Sequence, residues 1–155
     1  MVSRKNFISE YLSNEDLGRI SNAVGEIEKQ TSGEVRICIK KRRSFLEKKL
    51  TPREVALKEF FKLKMHITKD KTGVLFFILF EEHKFEIIAD EGLNSKISLE
   101  KWNKISNEVG NSFSKENYLD GILKGLDSIG QTLIREFPVK DIDKNELSDD
   151  VIIKL

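Results

Sequence analysis

Four acidic residues stand beside segments of the sequence that are typical of strands: Glu34, Asp70, Asp90 and Glu91. Glu34 opens an alternating segment, Asp70 comes shortly before an apolar run, and Asp90 and Glu91 follow a second run. Calcium and magnesium bind oxygen ligands, which proteins supply as carboxylates and backbone carbonyls. These four residues could therefore form a divalent-metal site if the fold brings them to one place.

The two apolar segments predict a hairpin that would do so. Val74–Phe80 is an uninterrupted apolar run, and Phe85–Ala89 returns after the polar turn at 81–84. In an antiparallel hairpin, the start of the first strand and the end of the second lie at the same edge of the sheet. An unbroken apolar run of strand length also predicts a strand covered on both faces.

A structural interpretation of the same acidic residues stays open. Asp90 stands two residues before Gly92, so it could be a solvated turn residue with no ligand. Lys69 and Lys71 flank Asp70, and repulsion between charges is screened only beyond about 8–10 Å, so they would weaken cation binding. We therefore expect at best a weak, micromolar-to-millimolar affinity for calcium or magnesium.

Helix signals surround these strands. Ser13 and Thr51 are side-chain caps ahead of apolar residues at helical spacing, and Pro52 suits a first helical position. Two more helices are predicted around Trp102–Phe113 and Asn117–Phe137 by the same periodicity. In the last of these, Gly121 and Gly125 cost helix propensity, which predicts that another element approaches closely there.

The order of elements predicts the fold class. Glu34–Lys40 alternates with period two and indicates a strand nearer the sheet's edge than Val74–Phe80. With a helix between them, the two strands should be parallel and joined by a right-handed crossover. The expected architecture is a three-layer α/β/α sandwich, a small mixed sheet with helices on both faces. Pro138 ends the domain, so 1–138 is one domain and 139–155 an acidic C-terminal tail that could dock by its last apolar residues.

Composition excludes several classes of protein. The chain of 155 residues carries 27 Lys and Arg and 26 Asp and Glu, so no global charge draws it to nucleic acid. Cys38 is the only cysteine, which excludes an intrachain disulfide. No segment has the roughly 20 apolar residues of a membrane span, and the N-terminus lacks the apolar core of a signal peptide. These features predict a soluble, cytoplasmic protein.

A basic segment between the first strand and the second helix is the other candidate for binding. Such a run is usually a solvated loop, but it could contact an anionic partner or an anionic membrane, with nucleic acid less expected. Phe45 and Leu46 stand among its charges. The basic residues are Lys40, Lys41, Arg42, Arg43, Lys48 and Lys49. The two histidines, His66 and His83, are interpreted as surface residues.

Four segments in this order resemble the TPM domain family. They are Thr31–Ile37, Lys71–Leu75, Ile88–Leu93 and the block from Phe113 to Phe137. Together they cover roughly 17–138, and the resemblance is to a subgroup of short bacterial proteins. It implies a Rossmann-like α/β/α fold and a divalent-metal site, usually calcium, in acidic loops at the strand ends.

The resemblance also implies partners and an activity. Genes of related proteins neighbour those of membrane-bound TPM and LemA-type proteins, so a membrane-associated partner is expected. Chloroplast members are acid phosphatases, so a metal-dependent phosphatase is the alternative to a binding or accessory module. Cys38 is followed by no arginine at the spacing of a cysteine phosphatase loop, so only a metal-activated water would be available.

The sequence departs from the family pattern at two places. Thr72-Gly73 stands where asparagine-glycine is common, and Ala89-Asp90 where glycine-aspartate is common. The carboxylate at Asp90 is kept, but the backbone freedom of a glycine at position 89 is not. The signal peptide or membrane segment of most relatives is not expected here, so an envelope or thylakoid role is not expected either.

Overall fold

A computed structural model describes residues 8–139 and 151–154. Its strands are β1 Glu34–Lys40, β2 Gly73–Leu79, β3 Lys84–Ala89 and β4 Ile152–Lys154. Its helices are α1 Asn14–Glu28, α2 Pro52–Lys62, α3 Glu91–Asn94, α4 Leu99–Ser114 and α5 Tyr118–Glu136, and a 3-10 turn covers Leu46–Lys49. No helix within this part of the chain is long and apolar enough to cross a membrane.

The four strands form one mixed sheet in the order β3-β2-β1-β4. β1 is parallel to β2, with Glu34 opposite Gly73, and the crossover between them contains α2. β2 and β3 form the predicted antiparallel hairpin, with Val74 opposite Ala89. β4 adds to the outer side of β1 in parallel, from Cys38 to Lys40.

Helices cover both faces of the sheet, which confirms the three-layer α/β/α prediction. On one face, α1, α4 and α5 pack against the side chains Val35, Ile37, Ile39, Val74, Phe76 and Ile78. On the other, α2 packs against Cys38, Leu75, Phe77 and Leu79. Every residue of β2 is buried, as the unbroken apolar run predicts.

The predicted helix caps are present. The Ser13 hydroxyl accepts a hydrogen bond from Asp16 N, and the Asp16 carboxylate accepts one from Ser13 N, which is a complete capping box. The Thr51 hydroxyl accepts from Glu54 N, and Pro52 occupies the first turn of α2. These local signals fix the starts of the first two long helices.

Close packing explains the glycines of α5. A Cβ atom on Gly121 would lie 2.7 Å from a Phe113 ring carbon, and one on Gly125 would lie 2.7 Å from a methyl of Val109. Both neighbours belong to α4, so the predicted close approach is confirmed. Gly130 meets Ile27 of α1 in the same way, at 2.7 Å.

One finer prediction needs correction. In its second half, β1 is no nearer the sheet's edge than β2, because β4 pairs with it there. Leu57 and Phe61 of α2 lie outside the core, since both are exposed. Trp102 is half-buried and only borders the core. Within the tail, residues 140–150 lie outside the described part, and the domain boundary after 138 stays a prediction.

Candidate metal site at the strand ends

Three backbone hydrogen bonds tie the predicted acidic segments together at one edge of the sheet. Glu34 N donates to Thr72 O at 3.1 Å, Asp90 N donates to Gly73 O at 2.9 Å, and Gly92 N donates to Lys71 O at 2.8 Å. The starts of β1 and β2 and the end of β3 therefore lie side by side. All four predicted acidic positions are at this edge.

The loop before β2 is held in a fixed shape. Thr72 N donates to the Thr68 hydroxyl at 3.2 Å, and Lys71 Nζ donates to His66 O at 2.8 Å. Lys71 has a left-handed backbone, with φ of 57°. This loop then packs so tightly on Gly92 that a Cβ there would lie 2.1 Å from Asp70 O. Only glycine at 92 allows this contact.

Asp90 is the acidic residue that is best placed to bind a cation. Its side chain caps α3, with Oδ1 accepting from Glu91 N at 2.8 Å. Its Oδ2 atom is buried and has no hydrogen-bond partner among the described residues. A buried carboxylate oxygen without a donor is unfavourable, so an ion or a water molecule at this atom would stabilise the site.

The other three acidic side chains differ in their surroundings. Asp70 and Glu91 are exposed, whereas Glu34 is 3 % exposed at the start of β1. Residues 8–139 and 151–154 contain no group of three or more His, Cys, Asp or Glu side chains placed to hold a metal ion. A complete coordination shell would therefore need backbone carbonyls and water beside Asp90.

The departure from the family pattern at Ala89 causes no backbone strain. The non-glycine residues with positive φ in the described chain are Lys64, Lys71, His83 and Glu116, so Ala89 is not among them. Gly73 also has no positive φ, but a Cβ there would lie 2.7 Å from Met65 O. Glycine at 73 is therefore required by close packing, and alanine at 89 is compatible with the end of a strand.

A cavity of about 370 Å³ opens next to this edge. Its lining residues are Ser32, Asp70, Thr72, Lys96, Glu136, Phe137, Pro138 and Val139. Lys96 Nζ donates to Glu136 O at 3.2 Å and lies 5.1 Å from the centre of the Phe137 ring. The cavity thus combines two carboxylates, two hydroxyls and an ammonium group.

Sequence reasoning missed this cavity because its walls come from distant parts of the chain. The end of α5 reaches the start of β1 through Thr31, whose hydroxyl lies 2.5 Å from Phe137 O. Thr31 also forms an isolated bridge with Pro138. The polar segment at 31–33 ahead of β1 was a usable signal for one wall, but nothing local indicates Lys96.

Lys40 is not available to a partner in this structure. It is buried and its Nζ lies 2.6 Å from Glu47 Oε1. Burial raises the pKa of Glu47, but hydrogen bonds from Lys40 and from the Ser44 backbone outweigh it and lower the pKa to about 2. Lys48 and Lys49, on the 3-10 turn, are exposed.

The next three basic residues form ion pairs with the hairpin turn. Lys41 Nζ and Arg42 Nη1 lie 3.6 and 2.9 Å from the Glu81 carboxylate. Arg43 binds Glu82 through Nε at 2.9 Å and Nη2 at 2.5 Å. Burial raises the pKa of Glu82, but the hydrogen bonds from Arg43 outweigh it, so that the pKa is lowered. These ion pairs fix the basic segment against the hairpin turn, and they leave it with less free positive charge than the sequence suggests.

The cysteine thiol is not a usable nucleophile. Cys38 is fully buried, and burial, with a smaller contribution from the Glu59 carboxylate, raises its pKa to about 12. Its thiol is therefore protonated and inaccessible. His83 is exposed, and its Nδ1 lies 2.6 Å from the Tyr118 hydroxyl. His66 packs beside the Phe61 ring at 5.0 Å.

Comparison with known proteins now identifies the family. The model of the TPM domain matches residues 8–132, well over half of the chain. The chain belongs to the TPM domain family. No curated protein matches the chain.

Solved structures agree with a TPM domain. The BA42 protein of the psychrophilic bacterium Bizionia argentinensis is 31% identical, with a TM-score of 0.84 over 94% of this chain and 97% of that one. An N-terminal domain from P. gingivalis is 16% identical, with a TM-score of 0.67 over 82% and 79%. The N-terminal domain of cg2496 from Corynebacterium glutamicum is 13% identical, with a TM-score of 0.61 over 81% and 76%. The last two support the fold alone.

Proposed function

We propose that this TPM domain is a cytoplasmic binding module that takes calcium or magnesium weakly at the strand-end loops and serves a membrane-associated protein partner. The observation that carries the cation proposal is the buried Oδ2 atom of Asp90, which has no hydrogen-bond donor among the described residues. A divalent cation would satisfy that oxygen and neutralise the charge of the carboxylate.

The ligand that we propose first is Asp90. Asp70, Glu91 and Glu34 are the further candidates at this edge, but the described residues hold no group of three such side chains, so at most one of them would join Asp90 in this arrangement. Backbone carbonyls of the 70–72 loop would complete the shell, together with water, because hard cations accept such mixed oxygen ligands. Weak affinity is expected since few side chains converge and Lys69 and Lys71 flank the loop. A closely related site with more carboxylates would bind more tightly.

Amide chemical shifts during a calcium titration of ¹⁵N-labelled protein test this proposal. We expect shifts of residues 69–73 and 89–93 that saturate, and no such shifts in Asp90→Asn, which keeps the helix cap but removes the charge. Glu100→Gln, an exposed acid in the first turn of α4, is the matched control and should titrate like the wild type. An unchanged spectrum at millimolar calcium contradicts cation binding.

The cavity beside Asp70 favours one alternative, a metal-dependent acid phosphatase. Its volume of about 370 Å³ suits a small phosphoester, and Lys96 could meet the phosphoryl oxygens. A cation at the strand ends would supply activated water, while Lys96 would bind and orient the substrate. An assay with a generic phosphomonoester tests this alternative. Turnover that requires metal, and that is lost in both Asp90→Asn and Lys96→Met, would favour the phosphatase over the binding module.

The partner that we propose is a membrane-bound TPM or LemA-type protein. This follows from the family to which the chain belongs, in which such proteins are expected neighbours. Affinity capture from the native membrane fraction, with the wild type and Asp90→Asn in parallel, tests it. If the wild type captures neither a TPM protein nor a LemA-type protein, the proposed partner is contradicted. Fractionation of cells tests the cytoplasmic location separately.

A further inference from the structure

We infer that the surface around α2 binds an anionic lipid bilayer directly. This surface, called here the α2 surface, combines exposed apolar side chains with exposed lysines. Its apolar members are Phe45, Leu46, Leu57, Phe61 and Ile67, and its lysines are Lys48, Lys49, Lys58, Lys62 and Lys64. The inference does not depend on a cation bound at the strand ends.

Exposed apolar side chains are concentrated on this surface. Of the large apolar residues that are exposed in the described part of the chain, all but Leu99 and Val139 belong to it. Phe45 and Leu46 are each 84% exposed, more than any of the others. Grouped exposure of this kind marks an interaction site, whereas single exposed apolar residues are ordinary.

Contacts between the elements place the parts of the α2 surface beside one another. Leu57 and Phe61 are four residues apart, so they lie on one side of the helix, opposite its buried residues. Lys58 Nζ reaches Glu47 Oε2 at 3.5 Å, which places the 3-10 turn beside the helix. The Phe61 ring lies 5.0 Å from that of His66, so the segment with Ile67 adjoins the other end.

The charge of the chain is concentrated in the same layer. Residues 40–71 contain 12 Lys and Arg but only 4 Asp and Glu, against 27 and 26 in the whole chain. The rest of the molecule is therefore net acidic. Lys41, Arg42 and Arg43 are paired with Glu81 and Glu82 of the hairpin turn, so the charge of the α2 surface comes from its exposed lysines. An anionic surface would attract these lysines.

The apolar tip of the α2 surface is held by the ion pairs behind it. Arg43 binds Glu82 with its guanidinium and also donates to Leu50 O at 2.8 Å. Glu47 accepts from Ser44 N at 2.9 Å. Phe45 and Leu46 thus project from a turn that these hydrogen bonds hold in place. Little conformational entropy is therefore lost when the two side chains enter a lipid bilayer.

A bilayer fits these residues better than a nucleic acid does. Leu46, Leu57 and Ile67 are aliphatic and have no ring that could stack on a base. At a membrane interface, such side chains enter the boundary of the acyl chains while lysines extend to the anionic headgroups. Each basic residue near a charged membrane adds to the attraction, which falls with salt.

Sedimentation with vesicles, in EDTA and without any protein partner, tests this inference. We expect binding to phosphatidylcholine vesicles that contain phosphatidylglycerol, little binding to phosphatidylcholine alone, and loss at high salt. Phe45→Ser/Leu46→Ser and Lys48→Glu/Lys49→Glu should each weaken binding about tenfold or more. The matched control, Leu99→Ser/Lys104→Glu, changes an exposed apolar residue and an exposed lysine on α4 and should bind like the wild type.

A tryptophan at position 46 distinguishes insertion of the side chain into the bilayer from electrostatic attraction to its surface. The emission of Leu46→Trp should shift to the blue when anionic vesicles are added. Absence of vesicle binding, equal binding to neutral vesicles, equal loss in the α4 control, or binding without a blue shift would each overturn the inference. Salt-sensitive binding to DNA or to an acidic protein, with no binding to vesicles, would overturn it in favour of that partner. Circular dichroism checks that every variant is folded.

Discussion

The carbonyl oxygen of Asp70 occupies the place where a side chain on Gly92 would begin. A Cβ atom on Gly92 would lie 2.1 Å from Asp70 O and 2.4 Å from Lys71 O, distances at which atoms that are not bonded overlap. Both of these oxygens belong to the backbone, so neither can rotate away. The absence of a side chain at residue 92 thus sets the distance between the loop of Asp70 and the helix that begins after Asp90.

Gly92→Ala should therefore destabilise the protein strongly. The new methyl group must push the 70–72 loop off α3, and overpacking of this kind costs typically about 1–3 kcal/mol of unfolding free energy. Gly18→Ala is the control, since nothing lies within 4 Å of a Cβ there and alanine favours a helix by about 1 kcal/mol. Urea unfolding measures both. Equal effects of the two substitutions would contradict the close contact at Gly92.

Local patterns predict most of the fold because they report on residues near one another in sequence. The alternation from Glu34 to Lys40 matches β1 residue for residue, and the Thr51-Pro52 pair marks the start of α2. The pairing of β4 with β1 could not be predicted, since three apolar residues near the C-terminus carry no information about which strand they join. The interior position of β1 follows from that pairing.

Lys71→Asn should stabilise the protein. Lys71 has φ of 57°, a left-handed conformation that costs a residue with an ordinary side chain about 1–2 kcal/mol and that asparagine adopts more easily. We expect a gain of about 0.5–1 kcal/mol in unfolding free energy, reduced by loss of the hydrogen bond from Lys71 Nζ to His66 O. Lys48→Asn, at an exposed position of the 3-10 turn, is the control and should change stability little. A loss of stability in Lys71→Asn would contradict strain at this residue.

Glu47 should make the protein sensitive to acid. Its pKa is about 2 in the folded protein against an ordinary 4.5, so the unfolded chain takes up the proton first as the pH falls. The stabilisation is complete above pH 4.5 and is lost as the pH falls from there to about 2. Because the side chain is almost fully buried, the unfolding free energy should fall by on the order of 2–3 kcal/mol over this pH range.

The variant Glu47→Gln separates this contribution from those of other acids. It leaves the buried Lys40 ammonium without its carboxylate, so the unfolding free energy at pH 7 should fall by about 3 kcal/mol. Between pH 4.5 and 2, its stability should fall less steeply than that of the wild type. Glu54→Gln, at an exposed position of α2, should change stability at pH 7 by about 0.5 kcal/mol or less. Parallel curves for Glu47→Gln and wild type would contradict the ion pair.

The candidate site could be predicted only in part. The hairpin alone places Asp70 and Asp90 at one edge, which needs no knowledge of the helices. That Lys96 and Phe137 line a cavity there depends on how α5 crosses the sheet, which no local pattern encodes. The basic run suggests more free positive charge than the structure has. Its acidic partners Glu81 and Glu82 are about 40 residues away in sequence, so the ion pairs could not be predicted locally.

Isothermal titration calorimetry of calcium into the wild type and into Asp90→Asn tests the proposed function most directly. Binding at the buried Oδ2 oxygen predicts one site of micromolar-to-millimolar affinity in the wild type and none in the variant. Calcium binding of equal affinity in both proteins, or no heat of binding in the wild type, would contradict a cation site at these strand ends.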